Sequence, residues 1–148
     1  MAGPEPTSPH AEPGREAPDA DVVLVVEDDQ PTRLSLQRFL QRQGWNAIGF
    51  GTAAETQAWL AGSSPVAGQR IGGVVIDVHL PDGDGIDLTR TLREHLGMAV
   101  PIVIVSGDTS IETLRRLRDA GGNRFVGKPM SLAALQEALA PPGAGKAE

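Results

Sequence analysis

Four runs of apolar and β-branched residues in this chain each end in a group that could do chemistry. Val22–Val26 is followed by Glu27-Asp28-Asp29, Ile71–Ile76 by Asp77, Pro101–Val105 by Ser106-Gly107-Asp108, and Arg124–Gly127 by Lys128-Pro129. If Glu27, Asp28 and Asp77 met, three carboxylates would repel and at least one pKa would rise. A hard divalent cation relieves that repulsion, and Mg²⁺ favours a few carboxylates plus waters in octahedral array. Lys128 then adds a point charge for an anionic oxygen, and Ser106 adds a hydroxyl donor. An aspartate among such groups, Asp77, is a nucleophile awaiting a phosphoryl group. Catalysis of that transfer consists mostly of positioning and charge neutralisation.

The elements that would bring these groups together are legible in the same way. Val22–Val26 and Pro101–Val105 are too continuously apolar to alternate faces, so they predict strands buried on both sides. Asn46–Phe50 and Arg124–Gly127 are shorter strands. Behind Asp77, Leu80-Pro81-Asp82-Gly83-Asp84-Gly85 forces a turn. Between the strands lie helical patterns. Asp29 or Gln30 with Pro31 opens the first, whose stripe is Leu36, Phe39 and Leu40, and Gly44 stops it. Thr52 with Glu55 opens a second helix through about Leu60. Leu88, Leu92 and Leu96 mark a third, over Ile86–Leu96. Thr109 with Glu112 caps a fourth, with a face of Ile111, Leu114 and Leu117, and Ser131 caps a fifth carrying Leu132, Leu135 and Leu139. Trp45 and Trp59 are expected in the core, and 61–70 reads as a long polar loop. β-α therefore recurs five times, which predicts a parallel sheet with helices on both faces and right-handed crossovers. In such a sheet all strand C-termini share one edge, so residues about 100 positions apart can converge there.

Composition narrows the function. At 148 residues the chain is one domain with room for a core, and only 3% aromatic residues make that core aliphatic. The absence of cysteine excludes disulfides, thiolate metal sites and thiol catalysis. No apolar run approaches the roughly 18 residues of a membrane span, and no signal peptide is visible at the N-terminus, so a cytoplasmic protein is expected. The net charge is -6, and residues 1–21 hold five acids against one base. Neither that segment nor the remainder carries a basic footprint for nucleic acid. Residues 1–21 and 141–148 read as disordered tails and 22–140 as the folded domain. With neither a GxGxxG nor a Walker loop, nucleotide binding has no support.

Taken together, VVLVVEDD, VVIDVHLPDGDG, PIVIVSGD and FVGKP resemble the receiver domain of two-component response regulators. The resemblance covers about residues 22–140 with several motifs in order. It implies a flavodoxin-like (βα)5 fold, a doubly wound parallel α/β sheet of strand order 2-1-3-4-5. It implies that Asp77 is the phosphoacceptor and that Glu27 and Asp28, with Asp77 and the backbone carbonyl of His79, hold Mg²⁺. Ser106 is then the hydroxyl that binds the phosphoryl group, Lys128 pairs with its oxygens, and Ser106 and Phe125 form the switch. The Lys128–Pro129 bond is expected to be cis. The implied partners are a sensor histidine kinase or histidine phosphotransfer protein upstream. Downstream, the implied partner is a protein target on the face of the fourth helix, fifth strand and fifth helix, where Arg115, Arg116, Arg118, Asp119 and Arg124 lie. Three positions depart from the commonest pattern: Glu27 stands for Asp, Ser106 for Thr, and Phe125 lacks the hydroxyl of Tyr.

No sequence remains for an output domain, so a single-domain regulator of two-component phosphorelay signalling, or a phosphoryl shuttle, is expected. It would be no enzyme beyond its own phosphorylation and dephosphorylation. Two rivals stand beside this reading. One is an interaction module independent of phosphorylation, against which the complete set of acids, Ser106 and Lys128 argues. The other is an aspartyl-phosphate phosphatase of the haloacid dehalogenase type, whose DxDx[TV] pattern fails because Asp77 is followed two positions on by His79. The His79 side chain reads as an exposed group tuning access to the acyl phosphate. A His79–Asp108 contact is expected to influence dephosphorylation.

Overall fold

The computed structural model describes residues 21–62, 70–97, 99–108 and 110–139. In chain order these form β1 (Val22–Val26), α1 (Gln30–Arg42), β2 (Asn46–Phe50), α2 (Ala53–Gly62) and β3 (Ile71–Asp77). A short hairpin follows, β4 (His79–Leu80) and β5 (Gly83–Asp84), then α3 (Gly85–Leu96) and β6 (Ile102–Ser106). The described chain closes with α4 (Ile111–Ala120), β7 (Arg124–Gly127) and α5 (Leu132–Leu139). Five parallel strands make one sheet in the order β2-β1-β3-β6-β7, which is the expected 2-1-3-4-5 once the hairpin is set aside. The expected tails and most of the polar loop lie outside the described residues, although Asp21, beside the first boundary, is buried and paired with Arg70 at 3.2 Å.

The sheet is apolar on both sides because helices cover both. Val22, Leu24 and Val26 point into a core completed by Ile86, Leu88 and Leu92 of α3 and Leu117 of α4. Val23 and Val25 point the other way, onto Leu36 and Leu40 of α1 and Leu135 and Leu139 of α5. All five β1 side chains are buried, so each contributes roughly 1.5–3 kcal/mol. Trp45 is buried in the second core, and Trp59 packs against Phe50 with ring centroids 5.8 Å apart.

Helix starts mostly follow their expected chemistry. Asp29 caps α1, accepting the Thr32 N–H at 3.1 Å, and Ser131 caps α5, accepting that of Ala134 at 3.0 Å. Thr52 accepts the Glu55 N–H at 3.0 Å, while the Glu55 carboxylate reaches back to the Gly51 N–H at 3.0 Å.

Some details differ from expectation. The cap of α4 is Ser110, which accepts the Thr113 N–H; Thr109, the expected cap, lies outside the described residues. Ile111 is 74% exposed and Leu132 45%, so the core faces of α4 and α5 begin one turn later than their apolar spacing implies. The β4–β5 hairpin was not foreseen. It pairs His79 with Asp84 and Leu80 with Gly83, so the turn that Pro81 and Gly83 enforce becomes a ladder.

Candidate functional site

Parallel topology carries the polar groups to one edge. Asp77 ends the middle strand β3, at 4% exposure, with both oxygens engaged. Its Oδ1 accepts the His79 N–H at 2.9 Å, and its Oδ2 accepts Lys128 Nζ at 3.0 Å. Lys128 comes from the far side of β6, where its own N–H donates to the Ser106 carbonyl at 3.0 Å. The Lys128–Pro129 peptide is cis, as expected.

Glu27 follows β1 and is buried, while its neighbour Asp28 is exposed. Ligand oxygens of Glu27, Asp28 and Asp77 all lie within 4.8 Å of one another. The cost of that crowding is visible in Glu27, whose carboxyl is pushed up to about 7. Burial is the main cause, and the Asp77 charge and the Asp28 side chain add to it. The Asp29 N–H and Lys128 work the other way. Lys128 loses stability as a cation through burial, but the bond to Asp77 and the charges of all three acids outweigh this and hold it above the ordinary lysine range. A cluster of three hard oxygen donors, one of them driven towards its neutral form, fits a divalent cation better than it fits its own company. These groups line a cleft of about 510 Å³ that also includes Thr32 and Met130.

Ser106 is buried at the end of β6, and its hydroxyl is engaged by the Asp108 backbone. It donates to the Asp108 carbonyl at 3.1 Å and accepts the Asp108 N–H at 3.0 Å. Phe125, in the edge strand β7, is 39% exposed. The His79 side chain is exposed and borders two clefts, the acidic one and a second of about 350 Å³ beside Asp108 and Arg116. The expected His79–Asp108 partnership takes a different form. Both Asp108 oxygens are committed to α4, Oδ1 to the Ser110 N–H at 2.9 Å and Oδ2 to the Thr113 hydroxyl at 2.7 Å. These bonds hold the Asp108 carboxyl below the usual range, and His79 adds only the last and smallest push.

Two residues of the site were missed by sequence reasoning. Asp82 accepts the N–H groups of Ala53 and Ala54, both at 2.9 Å, so the loop after Asp77 caps α2 from 28 and 29 residues away. Arg33 donates from Nη1 to the Glu27 carbonyl at 2.8 Å. No local pattern announces either contact, since each joins elements whose proximity the fold alone decides.

Comparison with known proteins agrees with this geometry. The family described as response regulator receiver domain matches residues 23–140. Among curated relatives, the sensory/regulatory protein RpfC of Xanthomonas campestris is 30% identical over 121 residues, covering 80% of this chain and 16% of that protein. The KDP operon transcriptional regulatory protein KdpE of Escherichia coli is 31% identical over 117 residues, covering 79% of this chain and 48% of that one. The chain thus spans less than half of either relative. Among solved structures, a response regulator receiver protein from Pseudomonas putida superposes with a TM-score of 0.68 at 33% identity, covering 80% of this chain and 94% of that chain. A co-crystal of the Saccharomyces cerevisiae histidine phosphotransfer protein Ypd1 with the receiver domain of Ssk1 is similar in fold, with a TM-score of 0.67 at 22% identity, covering 81% of this chain and 86% of that one. Among the described residues no helix is long and apolar enough to cross a membrane.

Proposed function

This chain belongs to the response regulator receiver domain family of two-component signalling, and from that premise we propose that it accepts a phosphoryl group on Asp77 and relays the event through protein contacts. One observation carries the reading: a buried strand-end aspartate is bonded to a lysine at 3.0 Å and sits within 4.8 Å of two further carboxylates. Lys128 on one side and room for a cation on the other set the Asp77 oxygens among the charges that a phosphoryl group needs.

In the proposed transfer an Asp77 Oδ forms a bond to phosphorus as the N–P bond of a phosphohistidine breaks, and the electron pair leaves with the imidazole. Glu27, Asp28 and Asp77, with the His79 carbonyl, would hold Mg²⁺, which supplies charge neutralisation for the phosphoryl oxygens. Lys128 pairs with one of those oxygens, exchanging part of its contact with Asp77. Ser106 leaves the Asp108 backbone to donate its hydroxyl to another. Water returns the acyl phosphate to Asp77 and inorganic phosphate, so the chain modifies itself rather than turning over a substrate.

The donor would be a sensor histidine kinase or histidine phosphotransfer protein. The readout would pass through Ser106 and Phe125 to the face of α4, β7 and α5, where Arg115, Arg118, Asp119 and Arg124 are exposed. On that face Arg116 is tied to Asp84 of β5 at 3.8 Å, which joins the readout helix to the loop behind the acceptor.

Intact-protein mass after incubation with a small phosphoryl donor, with and without Mg²⁺, tests the reading beside Asp77→Asn. The expected result is a Mg²⁺-dependent gain of one phosphoryl group that the variant lacks. Absence of any gain, from small donors and from a panel of kinases, would favour a module that works without phosphorylation. Continuous release of phosphate from generic esters would favour a phosphatase.

A further inference from the structure

Glu27 has the longer arm of the acidic pair, and a longer arm reaches a defined point only if its base is held. Its backbone is held from both sides. The Glu27 N–H donates to the Phe50 carbonyl of β2 at 3.0 Å, and its own carbonyl, one residue past the end of β1, accepts Arg33 Nη1 at 2.8 Å. The carboxylate is then aimed by the Asp29 N–H, which donates to Oε2 at 3.1 Å. Arg33 reaches the carbonyl from the first turn of α1 by crossing β2 and its exit where side chains are missing. A Cβ at Gly51 would lie 3.2 Å from Arg33 Nη1, and one at Gly49, which would meet the Gln37 side chain first, would lie 3.1 Å from Arg33 Cδ. Small residues at 49 and 51 thus open the path that this arginine occupies.

Resting on the Mg²⁺ reading of the acidic trio, we infer that Arg33 is a positioning residue for that site, fixing the Glu27 backbone so that its carboxylate stays among the metal ligands. Outer partners of metal ligands typically change affinity by about 10–100-fold. Arg33 is also a cation beside a cation site, and that makes the inference decidable by sign. If it contributed charge alone, removing it would relieve repulsion and tighten Mg²⁺ binding. If it positions Glu27, removing it weakens binding in spite of the charge lost.

Calorimetric titration of the full chain with Mg²⁺ separates these outcomes, using wild type, Arg33→Met, Arg33→Gln, Glu27→Gln, the Glu27→Gln/Arg33→Met double variant and Asp28→Asn. A Mg²⁺-free melting curve for each shows whether it folds. The expected result is about tenfold weaker binding in Arg33→Met, at the low end of the range for outer partners. In the Glu27→Gln background the same change should cost little further, because the carboxylate that Arg33 positions is already gone. Arg33→Gln, too short to reach the carbonyl, should behave alike and decides the matter should the Met variant melt below the working temperature. Affinity equal to or tighter than wild type in a folded Arg33 variant would overturn the inference, and so would an undiminished loss in the double variant. A wild type that binds no Mg²⁺, or an Asp28→Asn that binds as well as wild type, would overturn the metal reading and this inference with it.

Discussion

Lys128 donates to Asp77 across 51 residues of sequence, bridging from the edge strand β7 over β6 to the middle strand β3. The bond is unequal, since the Asp77 side chain is 4% exposed and that of Lys128 is 42% exposed. Removing the lysine therefore leaves a buried carboxylate beside two others, without a counter-charge. Breaking a fully buried pair costs about 3–5 kcal/mol, and the solvent at the lysine end reduces this to about 1–2 kcal/mol. Lys128→Ala is expected to lower the unfolding free energy obtained from urea titration by that amount. Asp77→Asn, which keeps an acceptor for Lys128 and relieves the crowding, should stay near wild type.

Glu27 makes the cleft sensitive to pH. With a folded value of about 7 against an ordinary 4.5, it is protonated in the metal-free protein below neutrality. In the proposed site Mg²⁺ would take the carboxylate, so each pH unit below about 7 should weaken binding by up to about tenfold, and binding should level off above pH 8. The raised value also means that, without metal, this group's contribution to stability is fully present below 4.5 and is lost as pH rises through 7. Mg²⁺ titrations at pH 6 and 8 check the first statement, and Glu27→Gln should abolish most of the dependence.

His79 and Asp108 should act on the phosphoryl group by separate routes. The imidazole borders the acceptor cleft, whereas the Asp108 carboxylate is spent on the first turn of α4 and its backbone on the Ser106 hydroxyl. Substituting either by Ala is expected to change the lifetime of the phosphorylated form, and the two fold-changes should multiply in the double variant. Asp108→Ala alone should also speed amide exchange at the start of α4. Strong non-additivity in the decay rates would mean that the two side chains meet after all.

Arg93 is a buried cation whose hydrogen-bond partners among the described residues include no acid. Its guanidinium donates to the carbonyls of Gly97, Val100 and, through Nε and Nη2, Gly121, which joins the C-terminal ends of α3 and α4. Gly121 has φ +114°, and a Cβ there would lie 2.8 Å from Arg93 Cγ. Arg93→Met should cost about 2–3 kcal/mol, since charged donors are lost and carbonyls are left unpaired. Gly121→Ala should also destabilise, through strained backbone and contact with Arg93. Denaturant midpoints test both, with phosphorylation of the folded fraction expected to persist because the clip lies away from Asp77.

Much of the fold was legible because its signals are local. Val22–Val26 is apolar on both faces, Pro31 and Gly44 bracket a helix, and Asp77 follows its strand without interruption. Where expectation and structure part, the deciding contact is not local. Ile111 has the spacing of a core residue but is solvent-exposed, and α4 meets the core only from Leu114 and Leu117 onward. Asp108 does line a cleft with His79, but its carboxylate is bonded to Ser110 and Thr113 at the start of α4.

The sequence by itself determined the number and order of the main elements, the strand-end identity of Glu27, Asp28, Asp77, Ser106 and Lys128, and the common edge at which they must meet. Those follow from hydrophobic periodicity and from the single sense of a parallel sheet. Only the tertiary structure decided that Arg33 reaches the Glu27 carbonyl, that Asp82 caps a helix 28 residues before it, and that the Ser106 hydroxyl rests on the Asp108 backbone. Such hydrogen bonds depend on ångström distances between elements distant in sequence, and no residue pattern along the chain encodes a distance of that kind.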